Sequence, residues 1–156
     1  MNSNEMLNKV EAFVHQILEG FPEVFLVQVK HKPTNNFKVY IDTDEGITIE
    51  TCIKINRLLY KAIEEAALFD EGDFSLEVSS PGVGEPILLH RQYRKNMGRF
   101  LLVQKLDGAQ LEGKLSETTE DGILLETTVG KGQKAEVILH SILFSDIKKA
   151  TVEIKF

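Results

Sequence analysis

The apolar positions of this chain follow two rhythms. From Ser3, which reads as an N-cap, Met6, Val10, Phe13, Val14, Ile17 and Leu18 recur at helical spacing. Gly20 closes that helix, with Pro22 just beyond. Phe25 to Lys32 then alternates, with Phe25, Val27 and Val29 set against Leu26, Gln28 and Lys30, the mark of a strand with one wetter face. Lys32-Pro33-Thr34-Asn35-Asn36 is turn chemistry, and Phe37, Val39 and Ile41 alternate again up to Asp42, so the two strands are expected to form a hairpin. A second helix is predicted from Thr48 as N-cap, with Glu50 favourable in its first turn. Its expected inner stripe is Ile49, Cys52, Ile53, Leu59, Ala62, Ile63, Ala66 and Ala67, and it should end near Phe69, before Asp70-Glu71-Gly72-Asp73. Phe74, Leu76 and Val78 alternate as a third strand, so the front half reads α-β-β-α-β.

Ser79-Ser80-Pro81-Gly82-Val83-Gly84 breaks regular structure and is the expected domain boundary, giving residues 1–82 and 83–156. A short helix carrying Tyr93 fits between Ile87 and Met97. After Gly98 the rhythm is that of short strands: Phe100–Lys105, Gln110–Thr118, Ile123–Thr128, Ala135–His140 and Ile147–Ile154. The turns between them are Asp107-Gly108, Asp121-Gly122 and Gly130-Lys131-Gly132-Gln133, and Asp-Gly between alternating runs is a strong hairpin signal. Five short strands in so few residues suggest a small barrel, which would remove free sheet edges. The predicted fold class is therefore α+β, an α-β-β-α-β domain followed by a five-stranded barrel.

Composition narrows the class. With 42% apolar and 27% charged residues, the 156-residue chain has the balance of a globular protein. No uncharged apolar run approaches the ~18–20 residues that span a bilayer, and the opening residues lack the apolar core of a secretory signal. The single cysteine, Cys52, forms no internal disulfide, so a reducing, cytoplasmic setting is expected.

Charge is uneven. Residues 1–90 hold 7 basic and 15 acidic groups, a net of −8; residues 91–156 hold 11 basic and 9 acidic groups, a net of +2. The overall net of −6 argues against a non-specific nucleic-acid coater, whose affinity would rest on many phosphate contacts. It leaves room for local RNA contact through one basic patch.

Candidate chemistry is sparse. Asp42-Thr43-Asp44-Glu45-Gly46 is the densest acidic cluster, and a divalent cation wants several carboxylate oxygens. The positions where a calcium-binding EF-hand loop needs Gly and Glu hold Ile47 and Ile53, so a solvated turn is the favoured reading. Histidines at 15, 31, 90 and 140 have no zinc-like spacing, and there is no second cysteine. His15 is expected to face solvent, and His90 to extend a basic surface beside Arg91. Ser79-Ser80 lacks a nucleophile elbow, and Gly82-Val83-Gly84 lacks the rest of a dinucleotide or phosphate-loop signature. Cys52, on the apolar stripe, is expected to be a core residue. No catalytic constellation emerges, and no cofactor or metal is expected.

One segment rises above this background. His90-Arg91-Gln92-Tyr93-Arg94-Lys95-Asn96-Met97-Gly98-Arg99 combines Arg91, Arg94, Lys95 and Arg99 with Tyr93. Arg grips phosphate and stacks on bases, and Tyr stacks too. The plainer alternative is a solvated connector whose tyrosine plugs the barrel end. Lys148-Lys149 and Lys131/Lys134 add positive charge in the same half.

Leu76-Glu77-Val78-Ser79-Ser80-Pro81-Gly82, with Tyr40-Ile41-Asp42-Thr43-Asp44-Glu45-Gly46-Ile47-Thr48 upstream, resembles the RimP family of small-ribosomal-subunit maturation factors. Tyr93, Gly98, Gly113 and the closing Asp146-Ile147-Lys148-Lys149-Ala150 extend the resemblance over nearly the whole chain. It implies an α/β domain followed by an SH3-like, Sm-type barrel. It also implies a monomeric, non-enzymatic assembly factor in the bacterial cytoplasm, without membrane or DNA partners. Such a factor would bind the immature small subunit and its 16S-type rRNA, and engage the subunit's twelfth ribosomal protein mainly through the barrel. Ser79, Ser80, Pro81 and Gly82, and Asp42, Asp44 and Gly46, are the family-signature turns.

One departure stands out. Where the family usually continues Leu-Asp-Arg-Pro-Leu, this chain has Val83-Gly84-Glu85-Pro86-Ile87, so Glu85 replaces an arginine and reverses the local charge. Arg91, Arg94 and Lys95 are candidates to compensate. Two rival functions are a metal-dependent RNA-processing enzyme using Asp42, Asp44 and Glu45, and a protein-only adaptor whose barrel binds a peptide.

Overall fold

The computed structural model describes residues 3–69, 73–82, 84–130 and 132–153. The expected Asp70-Glu71-Gly72 turn, Val83, Lys131, Ile154 and the Ser3 side-chain cap lie outside the described part. The chain divides into two compact units, residues 1–81 and 82–156.

In the first unit, helix α1 (Ser3–Leu18) leads into strands β1 (Phe25–Lys32) and β2 (Asn36–Asp42), helix α2 (Ile49–Glu65) and strand β3 (Ser75–Ser79). The sheet order is β1-β2-β3. The turn-rich link makes β1 and β2 antiparallel, whereas the α2 crossover makes β2 and β3 parallel. Val10, Val14 and Leu18 of α1 and Ile55, Leu59 and Ile63 of α2 bury one core with Val29, Phe37, Val39 and Ile41 of the sheet.

Two details depart from the periodicity. The hairpin has a bulge between Leu26 and Gln28, so Val27 is the extra residue. Leu26 lies opposite Ile41 and Val29 opposite Val39, and these join the core cluster; Phe25, Val27 and Val29 therefore do not share one face. Helix α2 is capped as expected, the Thr48 hydroxyl accepting the Thr51 N–H at 3.2 Å. Its inner face is Cys52, Ile55, Leu59 and Ile63, while Ile49 and Ile53 are 79% and 46% exposed. Ile55 replaces Ile53 because it stands three residues after Cys52 and four before Leu59, whereas Ile53 falls among Glu50, Asn56 and Arg57. The helix stops at Glu65, short of Phe69. Ala67 takes the left-handed conformation, φ 51°, which no α-helix continues through.

The second unit holds the short helix α3 (His90–Lys95) and strands β4 (Phe100–Lys105), β5 (Gln110–Thr118), β6 (Gly122–Val129), β7 (Glu136–Leu143) and β8 (Ile147–Glu153). All neighbours are antiparallel in the order β7-β6-β5-β4-β8. The α+β class and the five-strand half are as the sequence predicts. Among the described residues no ladder joins β7 to β8, so the sheet is open rather than a closed barrel. Leu101, Val103, Leu115, Ile123, Leu125, Ile142 and Ala150 form its core with Ile87 and Tyr93. Gly122 opens β6 where a Cβ would collide with the Ile142 carbonyl of β7, so only glycine permits this approach. Among the described residues no helix is long and apolar enough to cross a membrane.

Candidate functional site

Six residues are too few for a helix to stand alone in water, so α3 must be held from outside. Three devices hold it. Gln92 is buried, and its side-chain oxygen accepts the N–H groups of Leu88 and Leu89 at 2.8 and 2.9 Å, satisfying donors at the helix entrance. The Ile87 N–H bonds the Ala150 carbonyl at 2.7 Å and ties the segment before α3 to β8. Tyr93, only 4% exposed, drives into the core, its ring 5.1 Å from that of Phe144. Burial pushes the Tyr93 phenol up to about 12.

Strand β8 supplies the opposite wall. Lys105 pairs with Ile147 and Gln104 with Lys149, so Lys148 is the extra residue of a bulge. Ordinary alternation would send Lys148 and Lys149 to opposite faces. Across the bulge, Ile147 and Ala150 both join the core, and the two lysines between them stay exposed.

Between these walls lies a cleft of about 400 Å³. Pro86, Ile87 and Leu88 line one side, His90 and Tyr93 come from α3, and Phe144, Ile147, Lys148 and Lys149 complete it. The His90 ring meets Phe144 edge-on, with centroids 5.2 Å apart. The chemistry on offer is two ammonium groups and an imidazole above an aromatic and apolar floor. Lysine ammoniums are compact point charges suited to phosphate oxygens, and the floor, whose Tyr93 and Phe144 rings are tilted by 40°, offers apolar contact.

The structure thus brings Tyr93, Lys148 and Lys149 together, from segments about fifty residues apart in sequence. Tyr93, only 4% exposed, enters as floor and core. Arg94 and Arg99 are exposed, and Arg91 and Lys95 half-buried; none of the four lines the cleft. Sequence reasoning missed Phe144, whose only signal is an aromatic residue immediately before Ser145-Asp146.

The other candidate residues lie in the first unit and at its end. Asp42 is buried at the end of β2, contrary to the solvated turn expected there, and its Oδ1 accepts the Thr43 N–H at 2.9 Å. Asp44, Glu45 and Gly46 are exposed, with Gly46 at φ 100°. Burial, and secondarily the Asp42 charge, raise the Cys52 thiol above its ordinary value, the environment of an inert core cysteine. Among the described residues no three His, Cys, Asp or Glu side chains are grouped to hold a metal ion. Ser79 ends β3, Ser80 and Gly82 are exposed, Pro81 is half-buried, and the Glu85 N–H closes a turn onto the Gly82 carbonyl at 3.0 Å.

Comparison with known proteins decides the family. Residues 14–84 match the RimP N-terminal domain. A ribosome maturation factor RimP from Christiangramia forsetii is 36% identical, the alignment covering 95% of this chain and 97% of that protein. Proteins of the same name from Flavobacterium psychrophilum and Cytophaga hutchinsonii are 32% and 31% identical, over 95% of this chain and 97% and 96% of theirs. The chain belongs to the RimP family. The N-terminal match takes in both signature turns, at Asp42–Gly46 and Ser79–Gly82. The full-length RimP relatives align over nearly the whole chain, so the kinship extends into the second unit.

Proposed function

We propose that this chain is a ribosome maturation factor that binds the immature small (30S) subunit without catalysing a reaction. It would act in the cytoplasm, as a monomer, with no cofactor. Its relatives are named for ribosome maturation, which supports the coarser role. The observation that carries the finer reading is the cleft of the second unit, where Lys148 and Lys149 lie beside His90 over the Tyr93–Phe144 floor. In this reading the lysines meet phosphates of the 16S-type rRNA, as positioning contacts rather than base readout. Arg91, Arg94, Lys95 and Arg99 extend the cationic surface around the cleft and offset Glu85. The second unit, taken as a domain of residues 83–156, also meets the subunit's twelfth ribosomal protein. The acidic domain of residues 1–82, with its signature turns Asp42-Asp44-Gly46 and Ser79-Ser80-Pro81-Gly82, suppresses stray RNA binding by like charge. Release needs no chemistry: a matured surface that binds the factor less well is sufficient.

Cosedimentation with immature and mature small subunits across a salt series tests this. The factor should travel with immature particles, and the Lys148→Ala/Lys149→Ala variant should release at lower salt. Equal binding to both particles, or unchanged binding by the variant, would overturn the proposal.

A further inference from the structure

Strand β7 is the outer strand of its sheet, and its surface is unlike that of an ordinary edge. Val137 and Leu139 are 60% and 58% exposed on one face, and Ile138 is 40% exposed on the other. Leu143 at the strand's end prolongs the Val137–Leu139 face, and Val129 on β6, opposite Glu136, adds to the Ile138 face. Apolar edges are normally blunted by lysine, proline, a bulge or a covering element. Strand β7 contains no lysine and no proline, and its eight residues pair with β6 without a register shift. Among the described residues nothing pairs with its outer side.

The charge around it is also distinctive. Glu136 begins the strand, Glu126 lies opposite Leu139, and Glu120 and Asp121 precede Gly122, which is opposite Leu143. Among the described residues the nearby cations are Lys114, opposite Glu126, and Lys134, fewer than these four carboxylates. The other edge of the same sheet carries Lys148 and Lys149 at β8. One sheet therefore presents a cationic edge and an acidic, apolar one.

We propose that β7 captures an extended segment of a partner protein as an additional strand, a segment in which apolar residues alternate with lysine or arginine. Main-chain hydrogen bonds to the open edge supply affinity, the Val137–Leu139 face takes the apolar side chains, and Glu136, which alternation places on the opposite face, selects positive charge there. The inference rests on the reading in which the second unit meets a protein as well as RNA, and it names the surface and the kind of segment.

The test is amide NMR of the full chain titrated with a synthetic peptide of alternating lysine and valine, with an alternating glutamate–valine peptide as control. The lysine peptide should shift the β7 amides and slow exchange at every second residue between Glu136 and Leu143. The glutamate peptide should bind at least about tenfold more weakly. Val137→Thr/Leu139→Thr should weaken peptide binding by a similar factor. If that variant loses spectral dispersion, Ile138→Lys on the other face serves as the blocking change. Both should leave lysine-dependent rRNA binding at the β8 cleft intact, which separates failure here from failure of the RNA reading. Shifts confined to α3 and β8, equal affinity for the two peptides, or self-association of the chain through β7 would each overturn the proposal.

Discussion

Ile87 donates its backbone N–H to the carbonyl oxygen of Ala150, 2.7 Å away. This one bond joins the segment that precedes α3 to the strand that carries the paired lysines. Both walls of the cleft are thus fixed to one core, because Ile87 and Ala150 are themselves buried in it. A site built on such supports keeps its spacing without a ligand.

Gln92 should prove a structural support of that cleft. Gln92→Ala leaves the Leu88 and Leu89 N–H groups without their acceptor, at a cost of about 1–3 kcal/mol. Denaturant melts should record the loss, and hydrogen exchange should accelerate first at those two amides. Gln92→Glu keeps an acceptor oxygen and should retain much of the protection.

Tyr93 should act through burial. Tyr93→Ala should destabilise the second unit by about 3–5 kcal/mol, whereas Tyr93→Phe preserves the ring and should cost far less. Its phenol sits at about 12 in the folded protein against an ordinary 10.0. The raised value means the folded state holds its proton more tightly. The stabilisation is complete below pH 10 and is lost as pH rises through about 12. Ultraviolet titration should show a late tyrosine component, together with unfolding, and Tyr93→Phe should remove it.

Salt dependence measures how many phosphates the lysines meet. For single-stranded RNA the slope of log K against log salt changes by about 0.7 for each phosphate contact. Lys148→Ala/Lys149→Ala should therefore flatten the slope by about 1.4, read by binding titrations at several salt concentrations. An unchanged slope would place both ammoniums away from phosphate.

Helix α2 offers a paired comparison. Ile55 is fully buried and Ile53 nearly half exposed. Ile55→Ala should cost about 2–5 kcal/mol, and Ile53→Ala should stay within about 0.5 kcal/mol of the parent. Equilibrium unfolding monitored by circular dichroism separates the two.

These residues also mark where the sequence was readable. Alternation from Phe100 to Lys105 and from Gln110 to Thr118 located both strands at their observed limits, because strand period and turn chemistry are local properties. The inward face of α2 is local too: Ile55 stands three residues after Cys52 and four before Leu59, whereas Ile53 has Glu50, Asn56 and Arg57 as helical neighbours, so strict spacing selects Ile55. The bulges at Val27 and Lys148 are not local, since a bulge is defined by the partner strand. Arg91, Arg94, Lys95 and Arg99 stood out as a run along the chain, yet the cleft draws its cations from β8. Its floor joins Tyr93 to Phe144, a pairing that exists only once the sheet has formed.

Among the described residues, the first hydrophobic cluster draws its members from between Met6 and Val78, and none translated later joins it. Domains fold as units, the N-terminal one first as the polypeptide is made, at ~5–20 residues per second. The acidic half can therefore mature while the second half is still being synthesised, so the open β7 edge emerges only after the first core has formed.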